Sequence, residues 1–169
     1  MMSTASIRLV TCAAAFACYG ISYSQDATLA SVTKYASFYS DAVLKKNFSA
    51  MVASMYPALR THLGGHEKAS AFYRDAPPSI WPVAEKLGEP ELCSVGGLEV
   101  ALVKTTRTLK FLQGPFETEH TYVFVSSDKG KNWGVVDQGC TSAKTISMIS
   151  PELINSRCGK KLLERFFPE

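Results

Sequence analysis

His120 to Gln138, HTYVFVSSDKGKNWGVVDQ, is the stretch whose reading decides the fold. Two runs rich in Val, Phe, Tyr and Trp flank the polar segment Ser126-Ser127-Asp128-Lys129-Gly130-Lys131-Asn132, the pattern of a β-hairpin with a glycine-containing loop. Alternation puts His120, Tyr122 and Phe124 on one face of the first strand and Thr121, Val123 and Val125 on the other. A strand pair near the C-terminal end requires the apolar helical faces upstream to lie on a sheet.

Those faces are legible. From Thr28 to Lys46, apolar residues recur at Leu29, Val32, Tyr35, Ala36, Tyr39, Ala42 and Val43, one side of a helix with Thr28 as N-cap. Asn47 caps a second helix carrying Phe48, Met51, Val52, Met55 and Tyr56. Pro57 ends it and opens a further turn through Leu59 and Leu63, which Gly64-Gly65 stops. A short helix from His66 to Asp75 closes at Pro77-Pro78. Beyond the prolines the period changes. Ile80–Leu87, Leu92–Lys104 and Thr105–Leu112 read as strands, separated by Gly88-Glu89-Pro90 and bracketed by Gly114-Pro115, with Gly96-Gly97 as a bulge or turn inside the second. Short helical turns are expected from Ser150 to Phe167. The order is helices, then a strongly curved antiparallel sheet: an α+β fold.

A length of 169 residues, with 46% hydrophobic and 20% charged side chains, fits one domain with a real core. The net charge of +3 comes from dispersed residues; only Lys45-Lys46 and Lys160-Lys161 are adjacent, so no nucleic-acid partner is expected. Arg8, the apolar run Leu9 to Ile21, and Ser22-Tyr23-Ser24 before Gln25 have the form of an export signal. Residues 1–24 are therefore expected to be a signal peptide, cleaved near Ser24, and 25–169 a single periplasmic or secreted domain. The apolar run is too short and too broken for a membrane span. Lipoprotein processing at Cys18 is the rival, weakened because Ala15-Phe16-Ala17-Cys18 lacks the expected Leu.

Cys12 and Cys18 fall in the signal and leave Cys93, Cys140 and Cys158. In an oxidising compartment three cysteines suggest one disulfide and one free thiol. Cys140 with Cys158 is the favoured pair, and Cys93 with Cys140 the alternative. No Cys-x-x-Cys is present, so neither a zinc knuckle nor a thioredoxin-type site is expected.

The succession Tyr56-Pro57, Gly64-Gly65-His66-Glu67-Lys68-Ala69, Leu87-Gly88-Glu89-Pro90 and Ser127-Asp128-Lys129-Gly130-Lys131-Asn132-Trp133 resembles exported bacterial members of the nuclear transport factor 2-like superfamily, also described as cystatin-like or SnoaL-like. The resemblance implies a cone, with helices wrapped by a bent sheet and a pocket at the open end. Such a pocket holds an isomerase or cyclase site, binds a ligand without chemistry, or is filled by side chains, so the fold does not supply the function.

Candidate chemistry is sparse. Ser126-x-Asp128-x-Gly130-x-Asn132-Trp133 also resembles the Asp-box of sialidase propeller blades, with Asn in place of the usual Thr. A single copy in a chain this short reads as a structural turn. His62 and His66 are four apart, but the glycines between them oppose the continuous helix that a shared metal would need, and no metal site is expected. His120, with Glu117 and Glu119 nearby, could serve as a general base if it faced the cone. The Tyr and paired Asp of ketosteroid isomerases find no match. Aromatic residues at periodic positions are core first, yet Tyr35, Tyr39, Trp81, Tyr122 and Trp133, together with His120, are the candidates to line a pocket.

The expected function is non-catalytic binding of a small apolar ligand or peptide, with no cofactor, by a monomer or homodimer. A periplasmic protein-protein module of the inhibitor or immunity type is the alternative, and an isomerase or cyclase comes third.

Overall fold

The computed structural model describes residues 12–136 and residues 147, 151, 156 and 160, with side chains from 26 onward. Four helices come first: α1 (Cys12–Leu44), α2 (Phe48–Ala53), α3 (Pro57–His62) and α4 (His66–Arg74). A short 3-10 turn, Pro78–Ile80, leads into four strands: β1 (Pro82–Val95), β2 (Leu98–Phe111), β3 (Gly114–Ser126) and β4 (Gly134–Val136). The strands form one antiparallel meander in the order β1-β2-β3-β4. The α+β reading therefore stands.

The helix starts and stops follow local chemistry. Asn47 caps α2, its side chain accepting from the Ala50 amide at 3.1 Å. Pro57 occupies the first turn of α3, where its missing N–H costs nothing. Gly64 and Gly65 both take positive φ and separate α3 from α4. Thr28, however, is not a cap. The helix runs unbroken from Cys12 through Thr28 to Leu44, so the described part of the apolar run read as an export signal, Cys12 to Ile21, is helical and continuous with the domain's first helix. Propensity marked a permitted helix start there, and nothing in the local sequence breaks the helix upstream of it.

The strands differ from expectation in number and length. Of the expected strands, Pro82–Leu87 and Leu92–Val95 belong to one, with Gly88-Glu89-Pro90 within it, while Ile80 lies in the 3-10 turn before it. Pairing passes from Leu87↔Thr105 to Pro90↔Val103, leaving one extra residue on β1, and a second irregularity falls between Pro82 and Ala84. Both are β-bulges, which bend the bulged strand. Pro90, lacking an N–H, is tolerated because β1 is at the edge of the described sheet. Gly96-Gly97 is the turn between β1 and β2. Its φ values of 56° and 82° match a two-residue hairpin that needs positive φ at both central positions. Lys104 and Thr105 fall inside β2 without a break.

The hairpin is as read: Val125 pairs with Gly134, Phe124 with Val135 and Val123 with Val136. The core gathers where α1 and α2 meet the buried halves of β2 and β3. Val32, Ala36, Tyr39 and Val43 bury the predicted face of α1, against Val100 to Val103 and Tyr122 to Val125. The ring of Tyr39 meets Tyr122 edge-on at 5.1 Å and Phe124 at 6.5 Å. Consecutive buried residues on β2 and β3 mean that both faces of the sheet are covered there.

The segment after α2 completes the edge beside β4. Tyr56 N–H donates to the Val135 carbonyl at 2.9 Å, and Val135 N–H to the Ser54 carbonyl at 2.8 Å. This brings backbone against backbone: a Cβ on Gly134 would stand 2.6 Å from the Tyr56 Cα. Gly134→Ala is expected to cost about 1–3 kcal/mol through this overlap, read as a lower midpoint in chemical denaturation.

Candidate functional site

The strand bulges present Glu85 opposite Arg107 as a direct cross-strand pair on the concave face. Arg107 Nε donates to Glu85 Oε1 at 2.6 Å, and its Nη2 donates to the Tyr122 hydroxyl at 2.7 Å. The Tyr122 hydroxyl in turn donates to the carboxylate, at 2.8 Å from Oε1 and 3.1 Å from Oε2. Ser40 of α1 donates to Oε2 at 2.6 Å. The guanidinium carbon also lies 4.9 Å from the Tyr122 ring centroid. The side chain of Glu85 is fully buried and that of Arg107 is 13% exposed. A carboxylate can lie out of water only when its charge is paired and its lone pairs are satisfied, and three donors, from Ser40, Arg107 and Tyr122, do that here.

Arg107 also forms one wall of a cavity of about 460 Å³. The rest of the lining comes from Val43 at the end of α1, from Phe72, Tyr73, Asp75 and Ala76 at the end of α4, and from the 77–82 segment including Ile80 and Trp81. The aromatic rings brace one another. Trp81 packs 5.4 Å from Phe48 and 6.1 Å from Tyr73, and the Tyr73 hydroxyl is 3.3 Å from that of Tyr39. Pro77 and Pro78 turn the chain at the end of α4 so that Trp81 faces back onto the helix.

Of the six residues expected to line a pocket, Trp81 lines this cavity. Tyr39 and Tyr122 lie behind it in the core, their hydroxyls touching wall residues Tyr73 and Arg107. His120 does share a face with Tyr122, their ring centroids 4.9 Å apart, but it lines a second cleft of about 400 Å³ with Lys86, Lys104 and Thr105. Glu119 joins His120 there, while Glu117 is exposed on β3. His62 ends α3 and His66 begins α4, so the two do not share a helix face.

Tyr35 and Trp133 belong to a clasp between the β3–β4 loop and α1. Tyr35 OH donates to Asn132 Oδ1 at 3.2 Å, and Trp133 Nε1 to Ser31 Oγ at 3.3 Å. Within the loop, Ser126 Oγ accepts from the Gly130 amide at 2.9 Å, and Asp128 accepts from the Asn132 amide at 2.9 Å and the Asn132 side chain at 2.7 Å. These are the turn contacts expected of the Ser-x-Asp-x-Gly-x-Asn pattern.

Cys93, near the hairpin end of β1, is disulfide-bonded. It is thus not the free thiol that a lone Cys140–Cys158 bridge would leave, and Cys140 and Cys158 lie outside the described residues. Among the described residues no helix is long and apolar enough to cross a membrane.

The Glu85–Arg107 pair and Ser40 were not singled out in the sequence. A signal existed, because Val103, Thr105 and Arg107 alternate onto the inward face of β2. Register alone shows that the charge on Arg107 meets another on β1.

No protein-family model matches the chain, and no curated protein matches it. Among solved structures, a protein of unknown function from Mycobacterium tuberculosis is similar with a TM-score of 0.44 and 12% identity, over 66% of this chain and 69% of that one. An NTF2-like protein of unknown function from Burkholderia pseudomallei K96243 is similar with a TM-score of 0.35 and 17% identity, over 71% of this chain and 98% of that one. Likeness at this level carries neither a site nor an activity, and the topology above rests on the chain's own strand register.

Removing one member of a buried ion pair strands the other. Glu85→Ala is expected to lower stability by about 3–5 kcal/mol, whereas Asp41→Ala, which breaks the exposed Asp41–Lys45 pair, should cost about 1 kcal/mol or less; equilibrium denaturation of both variants checks the contrast. Hydrogen bonds from the Asn132 amide, the Asn132 side chain and Ser126 lower the Asp128 carboxyl from 3.8 to about 2. Its stabilising contribution is therefore present above pH 3.8 and lost as the pH falls toward 2. Acid unfolding curves should be steeper in that window for the wild-type chain than for Asp128→Asn.

Proposed function

We propose that the chain is an exported member of the nuclear transport factor 2-like superfamily that binds a small, mainly apolar molecule without transforming it. The cavity beside Arg107 carries this reading. Its volume, about 460 Å³, is within the roughly 300–1,000 Å³ common for small-molecule sites. Its lining follows the usual recipe too, aromatic and aliphatic walls with very few polar groups.

The chemistry of the polar groups favours binding over catalysis. Both oxygens of Glu85 accept hydrogen bonds from Ser40, Arg107 and Tyr122, and the side chain has no exposed surface. A carboxylate so engaged props up its neighbours rather than reaching a substrate. His120, the residue suited to general-base work, lines the other cleft.

The exposed side chains of Phe111, Leu112 and Phe116, around the β2–β3 turn, favour a second reading, a protein-protein module presenting that tip to a partner.

Native mass spectrometry separates the two. Binding in the cavity predicts an extra small mass on the folded chain that disappears on denaturation, while a partner-binding module predicts a bare chain. The denatured chain should begin at Gln25 if export removes residues 1–24. N-phenyl-1-naphthylamine, an uncharged apolar fluorophore, should bind the purified protein with a Kd of about 1–10 μM, with quenching of Trp81. Ala76→Phe, which fills the cavity, should weaken it by about tenfold or more while leaving the circular dichroism unchanged. Absence of binding, or binding indifferent to Ala76→Phe, would remove the cavity reading.

A further inference from the structure

The geometry points to a selection rule for the cavity: it admits uncharged ligands and discriminates against both carboxylates and amines, and Glu85 sets that preference. This deepens the ligand-binding reading and rests on it. Among the described residues that line the cavity, the charged ones are Arg107 and Asp75. Taken alone, an arginine in an apolar wall would be a receptor for a carboxylate. Arg107 is not such a receptor, because its charge is already balanced by a fully buried carboxylate 2.6 Å from its Nε.

Consider an anionic head brought to the Arg107 wall. It loses its hydration, and the attraction of the guanidinium is offset by repulsion from Glu85 directly behind it. Asp75, on the exposed rim, adds a further negative charge at the entrance. A cationic head fares no better, since it meets the guanidinium in front of its counter-ion. Its one attraction, to Asp75, lies at the surface where water and salt screen it. A ligand ending in a hydroxyl or carbonyl escapes both penalties while burying the same apolar body against Phe72, Tyr73, Ile80 and Trp81.

Tyr122 and Ser40 contribute by keeping Glu85 in place. Three side chains from three different elements hold the carboxylate: Ser40 from α1, Arg107 from β2 and Tyr122 from β3. The compensating charge therefore cannot swing away to let a ligand carboxylate take its position on the guanidinium.

The test is isothermal titration calorimetry near neutral pH with decanol below its solubility limit and decanoate and decylammonium below their micellar concentrations. The three share one apolar chain and differ in head charge. Decanol is expected to bind about tenfold or more tightly than either ion. Decanoate or decylammonium binding as tightly as decanol would overturn the selection rule while leaving the ligand-binding reading in place. No binding by any of the three would overturn both. Glu85→Gln supplies a second readout, because it keeps a hydrogen-bond acceptor and removes the charge. In the folded variant the preference should move toward decanoate by about tenfold relative to decanol. An unmoved ratio would remove Glu85 from the assignment. Should the variant not fold, the three-ligand comparison on the wild-type chain still decides the rule.

Discussion

The burial of one carboxylate shapes the concave half of this protein. A charged Glu85 out of water is costly, and the cost is met only if a cation and hydroxyl donors converge on it from separate elements. That requirement ties α1 to β1 through Ser40, β1 to β2 through Arg107, and β1 to β3 through Tyr122. No single element can satisfy it. The cluster therefore specifies how the helical layer sits on the sheet, whereas apolar packing alone would tolerate small slides.

The same cluster explains why the cavity has its character. Arg107 is held by Tyr122 and Glu85, so it presents a charge-compensated surface to the space lined by Phe72, Tyr73 and Trp81. The aromatic residues of α4 and the 77–82 segment line that space, where Pro77 and Pro78 end the helix and start the 3-10 turn. Further back along α1, at Ser31 and Tyr35, the Asp128 loop does a different task. It is a self-satisfied turn clasped to the helix by Tyr35 and Trp133, and it fixes the hairpin rather than forming a site.

How much was legible depended on the range of the interaction involved. The hairpin around Ser126–Asn132, the Asn47 cap, the Pro57 start and the Gly64-Gly65 stop depend on contacts within a few residues, and all were readable. Where reading failed, a longer range had overridden local signals. Gly88-Glu89-Pro90 looks like a turn, yet pairing with β2 carries β1 through it as a bulge. Thr28 looks like a cap, yet the helix continues upstream. Tyr35 and Trp133 looked like pocket residues, because aromatic character says nothing about whether a side chain serves a cavity or a loop clasp.

By itself, then, the sequence determined the class of fold: periodicity sets which residues form helices or strands, and alternation sets which side chains face inward. Only the tertiary structure decided that Glu85 meets Arg107, that Tyr122 and Ser40 complete the pair, and that the aromatics around Trp81 leave a space beside it. Those facts follow from strand register and from the placing of α1 over the sheet. A shift of one residue would turn every inward side chain outward, so register is set by the whole core at once and by no stretch of the chain in isolation.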